Sequence, residues 1–181
     1  MRIALDAMGT DAAPATEVEG AVRALQELDG DLEIVLVGDP DLIGPELARH
    51  PDAPMGRIHV HPALDRVHHD DSPATVVRRK PDSSIAVGLG LHRDGDDEAF
   101  ISAGSTGAVM AASLFILRRL PGVERPSVGT FLPTAGTPSL LLDAGTNVDC
   151  KPRHLAQFAH LGRVYMADVL GIEQPRIGLL N

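Results

Sequence analysis

The sequence predicts an α/β protein with a mostly parallel sheet covered by helices on both faces. Three observations lead there. Short runs rich in Val, Ile and Leu alternate with amphipathic stretches along the 181 residues. The strand runs are largely continuous in apolar residues, as expected for strands buried on both sides. Small-residue or acidic turns follow them at Asp6–Asp11, Gly38–Pro40, Ser102–Gly107 and Asp143–Lys151. In a parallel sheet, ligands bind at that carboxyl edge.

The elements follow in order. Ile3–Ala7 reads as a short strand. Pro14 to Leu28 carries Val18, Val22, Leu25 and Leu28 at helical spacing. Leu32–Val37 is a continuous buried strand ending at Gly38-Asp39. Leu42–Arg49 is a short helix, and Arg57–His61 alternates like a strand. Pro73–Lys80 and Ser83–Arg93 are two helices broken at Pro81-Asp82. Ala99–Ala103 is the next strand and Thr106–Leu120 the next helix. Ser127–Leu132 and Ser139–Asp143 are successive strands joined through Gly136. Pro152–Leu170 is a long amphipathic helix, and Arg176–Leu180 is expected to be a final strand. A parallel strand usually leads into a loop and helix, so the chain is expected to be the amino-terminal part, residues 1–181, of a larger single α/β domain.

Composition narrows the function. Aromatic residues are 3% with no Trp, which leaves few stacking platforms for single-stranded nucleic acid. A net charge of −9 argues against a general polyanion binder. An anionic partner must meet a local basic patch. The lone cysteine, Cys150, excludes an internal disulfide framework and fits a reducing compartment. Met1-Arg2 leads directly into a strand pattern without a signal peptide, and no apolar run approaches the ~20 residues of a membrane span. A cytoplasmic protein is expected, with membrane-surface contact left open.

The stretch Ala99 to Leu117 is the most informative. A buried strand breaks at Ser102-Ala103-Gly104-Ser105-Thr106-Gly107 and restarts as a helix. Small residues let backbone N–H groups approach an anion, and a helix start adds unpaired N–H donors and a positive dipole end. Ser102, Ser105 and Thr106 add hydroxyls. The turn is a candidate seat for phosphate or an oxyanion. It matches neither the Walker pattern nor the dinucleotide fingerprint, and a plain tight turn with Ser105 or Thr106 as N-cap fits it as well.

Other segments carry charge. Asp6 and Asp11 flank Gly9 after the first strand; they suit donor orientation or acid–base work, and equally turn chemistry. Asp70-Asp71-Ser72-Pro73 starts a helix that ends in Arg78-Arg79-Lys80, either a phosphate or acidic-partner grip or a capped, solvated helix. Asp143, Asn147 and Lys151 share the turn Leu141–Pro152. Lys80 and Lys151 are the only lysines among 16 basic residues, and a lysine retained among arginines can mark a need for a compact ammonium. Cys150 could accept an acyl group, or be a packed inert thiol. His59, His61, His68 and His69 with neighbouring Asp residues resemble a metal cluster, but their spacing matches no defined site, so no metal is expected.

Taken together, Asp6–Pro14, Asp70–Ser84, Ser102–Gly107, Leu141–Leu155 and Gly178–Asn181 closely resemble the bacterial phosphate acyltransferases, the acyl-ACP:phosphate transacylases of phospholipid synthesis. The matches run end to end in family order. The chain departs from the family where Thr10 replaces Gly, Ala12 replaces His, Ser105 replaces Asn and Thr146 replaces Ala.

The resemblance implies a three-layer α/β/α fold like that of isopropylmalate dehydrogenases and phosphotransacetylases, and a homodimer. It implies transfer of a long-chain acyl group from acyl carrier protein to inorganic phosphate, without a cofactor. It also implies peripheral contact with the membrane glycerol-3-phosphate acyltransferase that consumes the product. On this reading Ser102, Gly104, Ser105, Thr106 and Gly107 bind phosphate. Lys80, Asn147, Lys151 and Asp143 are the catalytic candidates, and Asp6, Gly9 and Asp11 orient the first turn. Arg78, Arg79, Arg118 and Arg119 are candidates for docking the acidic carrier. A short-chain phosphotransacetylase using coenzyme A is the alternative enzyme, and a fragment that only dimerises or binds carrier protein is the non-enzymatic alternative.

Overall fold

The computed structural model describes residues 1–68, 70–144 and 149–180. They form two compact units, Met1–Arg118 and Arg119–Asn181.

The first unit holds four parallel strands: β1 (Arg2–Asp6), β2 (Glu33–Gly38), β3 (Ile58–Pro62) and β4 (Ala99–Ile101), in the order β3-β2-β1-β4. The helices between them are α1 (Ala15–Glu27), α2 (Pro40–Leu47), α3 (Pro73–Arg79) and α4 (Ser84–Asp94), with α5 (Thr106–Ile116) after β4. Side-chain alternation along the strands builds a core on each face. Ile34 and Leu36 of β2 pack with Val18, Val22 and Leu25 of α1 and with Ile43 and Leu47 of α2. Val35 and Val37, on the opposite face, pack with Ala4, Val87 and Leu91. A smaller cluster joins Ile85 and Leu89 of α4 to Ala108 and Ala112 of α5. Each fully buried Leu, Ile or Val contributes about 1.5–3 kcal/mol, so the strand runs read from sequence are also the energetic centre of this unit.

Chain order in the sheet matters for function. The strands step outward from β1 through β2 to β3, then return to the other side of β1 as β4. This is a topological switch point, where the loops after neighbouring strands diverge and leave a crevice. The loops after β1 and β4 are the segments Ala7–Pro14 and Ser102–Ser105.

The second unit contains β5 (Gly129–Leu132), β6 (Ser139–Leu142) and α6 (Pro152–Leu170). The two strands pair antiparallel with each other as a separate ladder. Asp143, expected at the carboxyl edge of the parallel sheet, therefore follows an antiparallel hairpin strand instead, because β6 pairs with β5. Among the described residues of this unit, only His154, Phe158 and Met166 are buried.

Most element ends shift by one to three residues from the sequence expectation, and three differences have a clear physical cause. α2 begins at Pro40 rather than Leu42, because Asp39 caps it by accepting from the Asp41 N–H at 2.9 Å and Pro40 is preset for the first turn. α5 ends at Ile116 instead of Leu120. Arg118 takes a left-handed backbone (φ 68°) and its N–H closes on Ser113 O at 3.1 Å. Such a stop is normally signalled by Gly, and here no Gly announces it. Residues 176–180 are not a strand; a strand requires a hydrogen-bonding neighbour, and none pairs with them among the described residues.

Candidate functional site

The crevice at the carboxyl ends of β1 and β4 is built from backbone contact. A Cβ on Gly9 would lie 2.8 Å from the Gly104 nitrogen, 3.3 Å from the Ala103 carbonyl carbon and 2.9 Å from Asp6 Oδ2. Glycine at position 9 is thus what lets the two loops touch. Asp6 is fully buried beneath them. Its Oδ1 accepts from Met8 N–H at 3.0 Å, and its Oδ2 accepts from the Ser102 hydroxyl at 2.6 Å. Ser102 Oγ accepts in turn from Gly104 N–H at 3.1 Å. Asp6, Gly9, Ser102 and Gly104, read separately along the sequence, meet at one place.

Beyond this junction α5 begins. Ser105 is the N-cap, its Oγ accepting from Ala108 N–H at 3.4 Å. Thr106 is exposed at the first helical position, and the first-turn N–H groups are the orphan donors of a helix start. Gly107 lets α3 approach, since a Cβ there would lie 3.1 Å from Pro73 Cγ. Of the residues expected to bind phosphate, Ser102 already commits its proton to Asp6, and Gly104 its N–H to Ser102. The other expected donors belong to the Ser105–Gly107 end. Asp11 is exposed on the first loop.

The basic segment reaches the same loop through a relay. Lys80 Nζ donates to Asp71 Oδ2 at 2.6 Å and to the Arg66 carbonyl at 2.7 Å. The Lys80 hydrogen bond holds the Asp71 carboxyl below its ordinary 3.8, and the His68 N–H bond adds to the effect. The Arg66 guanidinium donates to Thr10 O, and Thr10 N–H donates to Glu17 Oε1 at 2.8 Å. Glu17 is buried, and its other carboxylate oxygen and Thr10 Oγ1 have no hydrogen-bond partner among the described residues. Arg66 and Glu17 were not singled out from sequence. Neither sits in a recognisable motif, and their contacts to Thr10 form only on folding. Arg78 and Arg79 are exposed at the end of α3, with the Arg78 guanidinium 5.4 Å from the Phe115 ring centroid, within cation–π range. Arg118 is exposed at the end of α5. Of the histidines, His59 faces Glu33 across β2 and β3 at 3.1 Å, and His61 Nδ1 lies 3.2 Å from Pro62 O; His69 lies outside the described residues.

In the second unit, Asp143 stands at the end of β6 with a left-handed backbone (φ 63°). Cys150 Sγ donates to Asp143 Oδ2 at 3.2 Å. That bond, then burial, pushes the thiol above its ordinary 9.0, the opposite of what a nucleophilic cysteine needs. Lys151 is the exposed N-cap of α6, and its N–H donates to His154 Nδ1 at 3.1 Å. Glu124 Oε2 accepts from Arg153 Nε at 2.7 Å and lies 3.2 Å from His154 Nε2; the Arg153 bond leads in lowering the Glu124 carboxyl. Arg119 is exposed and donates to Glu124 O. Asn147 lies outside the described residues. An apolar cavity of about 690 Å³ opens between the hairpin and α6, with Phe131, Leu140, Leu142, Leu161 and Val164 among its walls.

The family described as "fatty acid synthesis protein" matches residues 1–181. A phosphate acyltransferase of Salinibacter ruber is 51% identical over 180 residues, covering 99% of this chain and 53% of the relative. One from Geobacter sulfurreducens is 50% identical over 181 residues, covering 100% of this chain and 51% of the relative. The chain spans about half the length of these curated relatives. Among solved structures, an EutD phosphotransacetylase from Staphylococcus aureus aligns with a TM-score of 0.62 at 19% identity, covering 94% of this chain and 54% of that one. That likeness carries the α/β fold alone.

Proposed function

We propose that this chain, which belongs to the fatty acid synthesis protein family, carries the phosphate-binding part of a phosphate acyltransferase acting on acyl carrier protein. Inorganic phosphate attacks the carbonyl carbon of a long-chain acyl thioester. A C–O bond forms, the tetrahedral oxyanion collapses, and the C–S bond breaks. The products are acyl phosphate and the carrier's thiolate, which then takes up a proton.

The observation that carries this reading is the switch-point crevice, where the Ser102–Gly107 turn and the loop after β1 touch backbone to backbone. The start of α5 supplies helix-end N–H groups with the Ser105 and Thr106 hydroxyls beside them, a donor set suited to a phosphate dianion. Holding phosphate in this way supplies part of the barrier by positioning. Lys80 is a candidate for charge neutralisation, held by Asp71 and Arg66 O. Lys151 is the other candidate for charge neutralisation and Asn147 the candidate donor to the oxyanion or to phosphate, a donor to the oxyanion being worth roughly 3–4 kcal/mol. Asp143 is a further catalytic candidate. Direct attack by phosphate is favoured over an acylated Cys150, because that thiol is bonded to Asp143 and resists ionisation.

The carrier protein is acidic, and Arg78, Arg79, Arg118 and Arg119 are exposed cations suited to it. The same reading includes a homodimer and peripheral contact with a membrane acyltransferase. No helix among the described residues is long and apolar enough to cross a membrane.

The test is acyl phosphate formation from acyl-ACP and inorganic phosphate, with acetyl-coenzyme A as the competing donor. Turnover with acyl-ACP is expected. Turnover with acetyl-coenzyme A alone would move the assignment to short-chain phosphotransacetylation. Carrier binding without turnover would leave these residues a binding module.

A further inference from the structure

The geometry points to Asp6 as a positioning residue that shapes the phosphate turn through the proton of Ser102. It rests on the reading of Ser102–Gly107 as the phosphate seat. Three distances carry it. Asp6 Oδ1 accepts from Met8 N–H at 3.0 Å, Asp6 Oδ2 accepts from Ser102 Oγ at 2.6 Å, and Ser102 Oγ accepts from Gly104 N–H at 3.1 Å.

Donor and acceptor capacity makes this order directional. A carboxylate only accepts, and a serine hydroxyl has one proton and two lone pairs. With its proton drawn onto Asp6, Ser102 must present a lone pair to Gly104 N–H. That bond pins the chain between β4 and the start of α5. Asp6 is fully buried, so water does not compete, and a charged acceptor in such a place makes a strong bond. Its Oδ2 also lies between the two loops, 2.9 Å and 3.4 Å from where side chains on Gly9 and Gly104 would begin. The carboxylate thus lies underneath the turn and holds it from the buried side.

Asp6→Asn inverts the arrangement. If the amide oxygen keeps the Met8 bond, the amide nitrogen donates to Ser102 and leaves the serine proton without its acceptor. The reverse orientation sets the amide nitrogen against the Met8 N–H. The experiment is calorimetric titration of this chain with inorganic phosphate, beside Asp6→Asn, Ser102→Ala, Ser102→Thr and the Asp6→Asn/Ser102→Ala double variant, with thermal melts of each. Each of Asp6→Asn and Ser102→Ala is expected to weaken phosphate binding by about tenfold or more, and the double variant no further than either, because both cut one relay. Ser102→Thr keeps the hydroxyl and restores most of the affinity. Ser102→Ala is expected to lower the melting midpoint as well, because it leaves the buried Asp6 Oδ2 without its donor. Affinities are therefore compared well below each variant's midpoint, where a purely structural role would leave phosphate binding unchanged.

Unchanged affinity in folded Asp6→Asn, additive losses, or Ser102→Thr as weak as Ser102→Ala each overturns the proposal. If Asp6→Asn does not fold, the alanine–threonine contrast at Ser102 decides. Failure of the unaltered chain to bind phosphate instead overturns the reading of the turn, and the relay's role with it.

Discussion

Asp71 shows how one contact sets a measurable quantity. Its carboxyl is held below 3.8 first by the Lys80 ammonium and then by the His68 N–H. A carboxyl depressed by folding contributes stability above its unfolded value, and the contribution is lost as pH falls through the folded value. The Lys80 tether is therefore intact above pH 3.8 and released only in stronger acid. Carboxyl NMR should place the Asp71 midpoint below 3.8, and Lys80→Met should raise it; a midpoint unmoved by that change would contradict the pairing. Cys150 runs the other way, since Asp143 accepts its S–H and lifts the thiol above 9.0. Alkylation by iodoacetamide at pH 8 should be slower than for a free thiol, and Asp143→Asn should speed it. Asn tolerates the left-handed backbone at that position, so the variant tests charge rather than geometry. Equal rates would remove the argument against a nucleophilic cysteine. At Gly9, an added methyl meets the Gly104 backbone at 2.8 Å. Gly9→Ala should cost about 1–3 kcal/mol in urea unfolding, the range for overpacking. The importance of Gly9 was legible in the sequence as a turn residue. Its reason was not, because the atom it avoids lies in another loop.

At the scale of an element, α4 carries its own control. Gly88 and Gly90 both lie inside the helix. A Cβ on Gly88 would lie 2.3 Å from Cε2 of the Phe100 ring on β4, whereas Gly90 has nothing within 4 Å. Alanine gains up to about 1 kcal/mol of helix propensity at either site, but overpacking at the first costs about 1–3 kcal/mol. Gly90→Ala should stabilise the protein and Gly88→Ala should destabilise it, measured by denaturant midpoints. The same sign at both would mean that α4 does not press on β4. The existence of α4 was readable from Ser83 and the apolar residues behind it, since capping and periodicity are local. The contact that makes one glycine indispensable and its neighbour replaceable is not local. The end of α5 was missed for a related reason. Arg118 adopts the left-handed turn that Gly usually marks, and nothing in its chemistry advertises that.

At the scale of the molecule, the two units differ in how much they bury. Among the described residues, the three apolar clusters lie within residues 1–118, while the second unit buries only His154, Phe158 and Met166. Local opening follows buried contact, so hydrogen exchange should be slowest in β1, β2 and α1 and fast in β5 and β6. Slow exchange of the hairpin would show that it is covered in solution. The α/β class, nearly every element and the candidate phosphate turn could be read along the chain, because periodicity, capping and turn chemistry act between residues a few positions apart. The sheet order β3-β2-β1-β4, the meeting of Asp6 with Ser102 across 96 residues and the reach of Arg66 to Thr10 across 56 arose only in three dimensions. Strand neighbours and buried hydrogen bonds are selected by how the whole unit packs, and no local pattern records that choice.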